Sequence, residues 1–392
     1  MASKHRGTCS ALLRTNAGGF LIDAGDGVGR QLRAVEMQST YDTICVTHMH
    51  GDHLWGLPAV VRGAVVHLRG TSDAPKLTVA GPPGLYAYLV TAFRLSGIRD
   101  LFDNADIHVY EFVQAGGPPG GRVARNPLTY GDPNEGVGAI EGIRRTYLEP
   151  DEDGFWTVPA TQSEVRTNHS AVRMRAGRIK HTFDSFGFVA VENTRRRIDV
   201  ERARALGLRP GPKFRLLTAG ESIEAEDGRV ITADEVTNVV PGRRLAYLGD
   251  TFDPMGAAGL VAGADVLVHE ATFLGDTPDK AATAKLHSTT RMAGRFARDL
   301  GVGSLFLNHF REASFSGGAR PTIQQMRREG KGKNWRQNPM PIVPAEDFMV
   351  VKVLEDRNVE VHGSEYLADI LRREKEPFIE VDQGRQIRGR NL

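Results

Sequence analysis

Cysteine is nearly absent: Cys9 and Cys45 are the only two in 392 residues. That excludes a disulfide framework, and neither cysteine has a second one at the spacing of a cysteine metal site. Long apolar runs are missing too. No stretch approaches the ~18 residues a membrane helix needs, and at the N-terminus Arg14 interrupts before a signal-type apolar segment can form. Charge of one sign is also lacking: 50 Lys and Arg against 48 Asp and Glu leave a net charge of +2. Any contact with nucleic acid must therefore come from local basic patches. These absences describe a soluble, cytoplasmic protein with reduced thiols and no membrane association. A hydrophobic content of 40% and a charged content of 25% are those of a globular chain able to bury a large core, as one elaborate domain or two.

Short apolar runs alternate with Gly/Pro turns and amphipathic segments throughout. Strands are expected at Phe20–Asp23, Thr43–Thr47, Lys76–Ala80, Ile107–Val113, Phe186–Val191, Leu245–Leu248, Val266–Val268, Leu305–Leu307 and Phe348–Val353. Helices are expected at Leu85–Leu95, after a Gly-Pro-Pro-Gly turn, and at Ser288–Leu300, with Met292, Phe296 and Leu300 on one face and Gly301 as the stop. Strands packed with helices outside them give an α/β layered architecture.

Three segments depart from this pattern. Gly116 to about Asp153 is rich in Gly, Pro and charge and reads as a surface insertion. Glu192 to Leu216 holds eight basic residues against three acidic ones, a local excess of five, and Arg320 to Arg336 holds six against Glu329 alone. The tail from 364 to 392 is of mixed charge and reads as loosely docked.

The chemistry concentrates in Thr47 to His53, "THMHGDH", directly after an apolar run. His48 and His50 lie two apart, so both rings can point the same way in an extended loop. Asp52 and His53 follow where a helix would begin. Imidazole and carboxylate are ligands for Zn²⁺, with Mn²⁺ as the alternative. Four ligands in one loop suit two adjacent ions better than one crowded tetrahedral centre. More ligand types stand just past buried strands, where loops carry function: Asp250 in "AYLGDT", His181 in "IKHTFDSFGF" and His309 in "LFLNHF". Taken singly, each has a plain alternative, a turn aspartate or a hydrogen-bonded core histidine.

Together, "THMHGDH", "KHTFDSFGF", "LGDT", "HEATF", "LHSTT" and "NHF" occur in the order seen in the metallo-β-lactamase superfamily, and more narrowly the chain resembles the ribonuclease Z family of tRNA 3′-processing endonucleases. The similarity runs from about Ser3 to Val353. The first motif is common to the whole superfamily, whereas "HEATF" and "HST" resemble the nuclease branch. The resemblance implies a four-layer αββα sandwich over residues 1–363 carrying an inserted basic arm at about 192–231. It implies two Zn²⁺, one held by His48, His50, His181 and Asp250, the other by Asp52, His53, Asp250 and His309. Asp23 would support the ligands from behind. Asp52 would accept a proton from the nucleophile, and His287, oriented by Glu270, would protonate the leaving oxygen. A helix-start histidine is the plain alternative for His287, with Ser288 or Thr289 as N-cap.

The arm segment "LGLRPGPKFRLLTAGESIEAEDGRVI" resembles the part of the family that grips tRNA, often across a homodimer. Arg195, Arg196, Arg197, Arg209 and Lys213, with the Gly211-Pro212 turn, would meet RNA there, unless they form only a solvated charged face. Lys4 and Arg6 match a family loop that senses the RNA 3′ end, but Ala2 and Gly7 replace its Pro and Asn. The strand expected before that loop is absent, as in a truncated chain or in a divergent member with an exposed sheet edge. "NHFREAS" lacks the usual Ser-Arg-Tyr. The implied activity is removal of 3′ trailers from precursor tRNA, with precursor tRNA or another RNA as partner. The competing readings are a small-molecule hydrolase opening a β-lactam, lactone or simple phosphodiester, and a non-enzymatic RNA-binding module.

Overall fold

A computed structural model describes residues 7–363, apart from 16–17, 38–39, 71–74, 99–101, 103, 115–137, 160–171, 226 and 312–339. Lys4, Arg6, the 364–392 tail and the basic run from Arg320 to Arg336 fall outside the described residues.

The first sheet is built from β1 (Ala11–Thr15), β2 (Gly18–Ile22), β3 (Thr43–Cys45), β4 (Lys76–Gly81), β5 (Asp106–Phe112) and β6 (Ile143–Leu148) in sequence order. β1 pairs antiparallel with β2, and every later pairing is parallel. Central strands of such a sheet are covered on both faces, which is why β3 and most of β4 are buried without alternation. Helices α1 (Val28–Ala34), α2 (Gly51–Leu54), α3 (Leu57–Arg69) and α4 (Leu85–Leu95) follow its strands. The start of α4 is capped from the neighbouring strand, where the buried Glu111 carboxylate accepts from the Gly84 and Tyr86 amides at 2.9 Å each.

The second sheet begins with β7 (Trp156–Thr157), β8 (Val172–Lys180) and β9 (Asp184–Glu192). The chain then leaves the body as the arm: β10 (Arg195–Ile198), α5 (Val200–Ala205), α6 (Lys213–Thr218), β11 (Ile223–Glu224), β12 (Val230–Ile231), α7 (Ala233–Val236) and β13 (Thr237–Val240). It returns through β14 (Arg244–Leu248), α8 (Ala258–Val261), β15 (Val266–Glu270), α9 (Asp279–Thr283), α10 (Thr290–Asp299), β16 (Ser304–Asn308) and β17 (Ile342–Pro344), and closes with the hairpin β18 (Val350–Val353) and β19 (Val359–His362). The sheet order is β17-β16-β15-β14-β9-β8-β7, parallel from β14 to β17 and antiparallel beyond.

Three apolar clusters define the layers. One joins the outer face of the first sheet to α1, α3 and α4 through Ile44, Val79, Val61 and Leu89. Another joins the second sheet to α8 and α10 through Leu267, Leu305, Val261 and Phe296. Between the sheets lie Phe20, Ile22, Phe112, Trp156, Phe186 and Phe188. The result is the αββα sandwich. Two expected boundaries are corrected. The segment from Gly116 to Asp153 is not insertion throughout, because Ile143–Leu148 forms β6 and buries Ile143 in the first helical layer. The arm does not end near 231: β13 pairs with β10 up to Val240, around a small core of Ala203, Leu217, Ile223, Ile231 and Val236. No helix among the described residues is long and apolar enough to cross a membrane.

Candidate active site

Strand ends deliver the site. Asp23 follows β2, the loop Thr47–His53 follows β3, His181 follows β8, Asp250 follows β14, Glu270 ends β15 and His309 follows β16. The C-terminal ends of parallel strands leave side chains free to project into a common crevice. Two glycines permit the close approach of these loops. A Cβ on Gly249 would lie 2.6 Å from the Thr47 Cβ, and one on Gly25 would lie 2.0 Å from the Asp52 carbonyl oxygen. Asp23, Leu286 and His309 adopt left-handed backbone at φ of 61°, 62° and 56°. For non-glycine residues that conformation is strained, and such strain persists where surrounding contacts over-determine it.

The structure brings all seven sequence-expected ligands together. His48 Nε2 and His181 Nε2 lie 3.0 and 3.2 Å from His50 Nδ1, and both lie near Asp250 Oδ2, at 3.9 and 4.0 Å. On the other side of Asp250, its Oδ1 is 3.4 Å from His53 Nε2, and its Oδ2 is 3.2 Å from His309 Nε2. Asp52 Oδ2 stands 3.2 Å from His309 Nε2 and 4.0 Å from His53 Nε2. Asp250 thus faces both groups, one oxygen toward His53 and the other toward the remaining histidines.

Whether these residues suit cations is decided by where their protons go. Asp23 accepts from the Thr47 amide at 2.7 Å, from Thr47 Oγ1 at 2.9 Å and from His53 Nδ1 at 2.7 Å. With its proton given to Asp23, Thr47 Oγ1 is left to accept from His48 Nδ1 at 3.0 Å. His181 Nδ1 donates to the Leu286 carbonyl at 2.8 Å, and His309 Nδ1 lies 2.8 Å from Thr272 Oγ1. Four rings therefore have Nδ1 engaged and turn Nε2 inward. His53 Nε2 is buried with no hydrogen-bond partner. A buried, unpartnered ring nitrogen beside two carboxylates is a place a divalent cation can take in exchange for a proton, and the donor set of imidazole and carboxylate fits Zn²⁺ or Mn²⁺.

Electrostatics agree with that fit. Burial pushes His48, His181 and His50 down, His50 to about 4, so all three are neutral donors at neutral pH. Burial alone would raise Asp250, but the histidines His309 and His53 override it and hold the carboxylate ionised. His53 moves the opposite way. Burial opposes its charge, yet Asp250 and Asp23 hold it well above the ordinary value, a sign of excess negative charge at this end.

Next to these groups, Glu270 is buried and closes a network. Its Oε1 accepts from the Thr251 amide at 2.8 Å and from His287 Nδ1 at 2.9 Å, while its Oε2 accepts from Thr272 Oγ1 at 2.5 Å. His287 Nδ1 is also 4.0 Å from Asp250 Oδ2. Burial disfavours charge on His287, but the hydrogen bond and negative charge of Glu270 outweigh it and raise the imidazole above its ordinary value. Thr289 caps α10 by accepting from the Met292 amide, as the helix-start alternative expected, and His287, two residues before that cap, has its ring turned to Glu270.

The arm sorts the expected RNA contacts. Arg195 pairs with Glu355 at 3.0 Å and Arg196 with Asp234, and both side chains are half-buried. Arg197, Arg209, Gly211 and Pro212 are exposed, and exposed Lys213 reaches the Glu224 carbonyl at 2.6 Å. Sequence reasoning missed Thr47, Thr272 and the Leu286 carbonyl as supports for the ligands. Thr272 had a signal, as the Thr of "HEATF". It also passed over Cys9, whose sulfur lies beside His53 and His309.

Residues 6–150 match the model of the metallo-beta-lactamase superfamily. The chain is 30% identical to ribonuclease BN of Escherichia coli O7:K1 over 300 residues, covering 75% of this chain and 79% of that protein. Ribonuclease BN of Shigella flexneri gives the same identity and coverage. Among solved structures, the short form of human tRNase Z superposes with a TM-score of 0.53 at 22% identity, covering 88% of this chain and 93% of the other, a likeness of fold.

Proposed function

The chain belongs to the ribonuclease Z family of the metallo-β-lactamase superfamily, and from that premise we propose that it is a two-zinc endoribonuclease that removes the 3′ trailer from precursor tRNA. Its relatedness to ribonuclease BN supports a hydrolytic enzyme. The observation that carries the finer reading is the Glu270–His287 pair beside the ligand cluster, with His287 4.0 Å from the Asp250 carboxylate. Hydrolysis of a phosphodiester needs a proton for the departing oxygen, and in this pair the Glu270 carboxylate favours the charged form of an imidazole that stands next to the groups that would hold the reacting phosphate.

His48, His50, His181 and Asp250 would hold one cation, and Asp52, His53, Asp250 and His309 the other. When bound, such a pair supplies Lewis-acid activation of water and charge compensation at the phosphate. The protein's own groups do the rest. Burial opposes ionisation of Asp52, but hydrogen bonding from His309 and the charge of His53 keep it a carboxylate. It is thus an acceptor for the hydrogen of the attacking water. Glu270 spends one oxygen on His287 Nδ1, so the proton available for transfer sits on Nε2. Thr272 ties Glu270 to His309, coupling the proton donor to a cation ligand.

Substrate grip would come from the arm. Exposed Arg197, Arg209 and Lys213, joined by exposed Arg204 and Arg215, offer phosphate contacts away from the site. A homodimer acting in the cytoplasm would allow the arm of one protomer to serve RNA held by its partner. Incubation with precursor tRNA carrying a 3′ trailer, with and without chelator, tests the reading alongside Asp52→Ala and His287→Ala. Metal-dependent cleavage leaving a 3′-hydroxyl on the tRNA is expected, lost in both variants. Turnover of a β-lactam or lactone with no cleavage of RNA would overturn it in favour of a small-molecule hydrolase.

A further inference from the structure

Cys9 stands just before β1, where its neighbours fix it. Thr8 Oγ1 donates to the Asp26 carbonyl at 2.9 Å, and Ser10 Oγ donates to the Asp23 carbonyl at 2.9 Å. Both anchors lie on the turn that also carries the Asp23 carboxylate, so the thiol between them is presented to the ligand cluster from a pinned backbone. The Cys9 sulfur and ring nitrogens of His53 and His309 all lie within 4.8 Å of one another. Independently, His53 Nε2 is buried and has no hydrogen-bond partner, while its Nδ1 is committed to Asp23. A cavity of about 370 Å³ lined by Thr8, Cys9, Tyr247, Asn308 and His309 reaches the same place from the side of β1.

We propose that Cys9 is a thiolate ligand of the cation held by Asp52, His53, Asp250 and His309. The two cation positions would then differ in kind. The one at His48, His50 and His181 has only nitrogen and oxygen donors, whereas the one at His53 and His309 gains a soft sulfur. Thiolate ligands favour zinc over manganese, which prefers oxygen. Binding exchanges the thiol proton for the cation, and the proton passes to buffer. The inference rests on the two-cation reading of the site but not on the choice of RNA as substrate.

The test uses the full chain loaded with Co²⁺ or Zn²⁺, with bound metal counted by mass spectrometry. Co²⁺-loaded wild type is expected to show a thiolate-to-metal charge-transfer band in the near ultraviolet, absent in Cys9→Ser. X-ray absorption of the Zn²⁺ form is expected to need a sulfur scatterer at about 2.3 Å beside nitrogen and oxygen at about 2.0–2.2 Å. Cys9→Ser should bind the second Zn²⁺ at least about tenfold more weakly and lose part of the preference for Zn²⁺ over Mn²⁺. Should Cys9→Ser fail to fold, alkylation of wild type decides: Zn²⁺ is expected to protect Cys9 from iodoacetamide, with buried Cys45 silent in both states. Two bound cations with no sulfur signal, or equal alkylation with and without Zn²⁺, would overturn this inference alone. Failure to bind any cation would overturn the two-cation reading beneath it.

Discussion

Glu270 and His287 meet through a 2.9 Å hydrogen bond from Nδ1 to Oε1, at a point where Glu270 is buried and His287 keeps one edge toward solvent. The carboxylate does two things to the imidazole: it engages Nδ1 and so turns Nε2 away from itself, and it raises the pKa against the opposing effect of burial. The proton-donating form therefore persists above the ordinary value of about 6.5. Activity should fall as pH rises through the raised value. His287→Ala should lower kcat on RNA by about 10²–10⁴-fold, and much less on bis(p-nitrophenyl) phosphate, whose leaving group needs no proton. Glu270→Gln keeps the hydrogen bond but removes the charge, so its alkaline limb should move to lower pH. A pH profile of kcat measures this, and an unmoved limb would remove Glu270 from the mechanism.

What could be read in the sequence was whatever lies close together along the chain or is buried on both sides. His48, His50, Asp52 and His53 share one loop, and the strands that are apolar without interruption stood out as runs. β8 reads VRMRAGRIK, and its arginines hid a strand whose buried positions include Met174, Ala176 and Ile179. β6 is an edge strand with arginine at two positions and looked like the insertion beside it. On α10 the buried face is Ala293, Phe296 and Ala297 and not the Met292 side, because small residues let the helix settle closely onto the sheet. Cys9 could not be linked to His53 and His309, since only the fold brings them together. The Leu286 carbonyl that fixes His181 is a backbone atom and has no signature in sequence at all.

The arm's root predicts an acid-sensitive clamp. Arg243 binds Glu192 through Nε at 2.8 Å and Nη2 at 2.7 Å, and its Nη1 donates to the Val353 carbonyl at 2.7 Å, with both side chains nearly buried. Burial would raise the Glu192 pKa, but hydrogen bonds from Arg243 depress it below the ordinary value. A depressed folded-state pKa contributes stability that is fully present above the unfolded value of about 4.3 and is lost as pH falls through the folded one. Arg243→Ala should cost about 3–5 kcal/mol near neutrality, since it leaves a buried carboxylate unpaired. Urea unfolding across pH checks it. The gap between wild type and variant should close in acid, and a gap undiminished well below the ordinary glutamate range would refute the assignment.

Gly249 predicts a different failure. A methyl group there would meet Thr47, the residue that links Asp23 to His48. Gly249→Ala should destabilise by about 1–3 kcal/mol through overpacking, and it should weaken cation binding more than that loss implies, because the displaced Thr47 carries two ligand supports. Thermal unfolding and Zn²⁺ titration together measure the two effects. Unchanged Zn²⁺ affinity at reduced stability would mean that Thr47 does not position the ligands.

If the arm grips RNA, substrate binding and chemistry should separate along the chain. The arm has its own small core and rejoins the body through the β10–β13 pair, so surface changes on it leave the cation ligands untouched. Arg197→Ala and Arg209→Ala should raise KM for precursor tRNA while leaving hydrolysis of bis(p-nitrophenyl) phosphate intact. Each should also reduce the slope of log affinity against log salt by about 1 if it contacts one phosphate. Arg195→Ala and Arg196→Ala should behave otherwise, because their guanidinium groups are paired with Glu355 and Asp234. They should loosen the arm and change the salt slope little. Filter binding at several salt concentrations distinguishes the two pairs. Equal salt slopes in all four variants and wild type would mean that the exposed arginines are a solvated face and that RNA is held elsewhere.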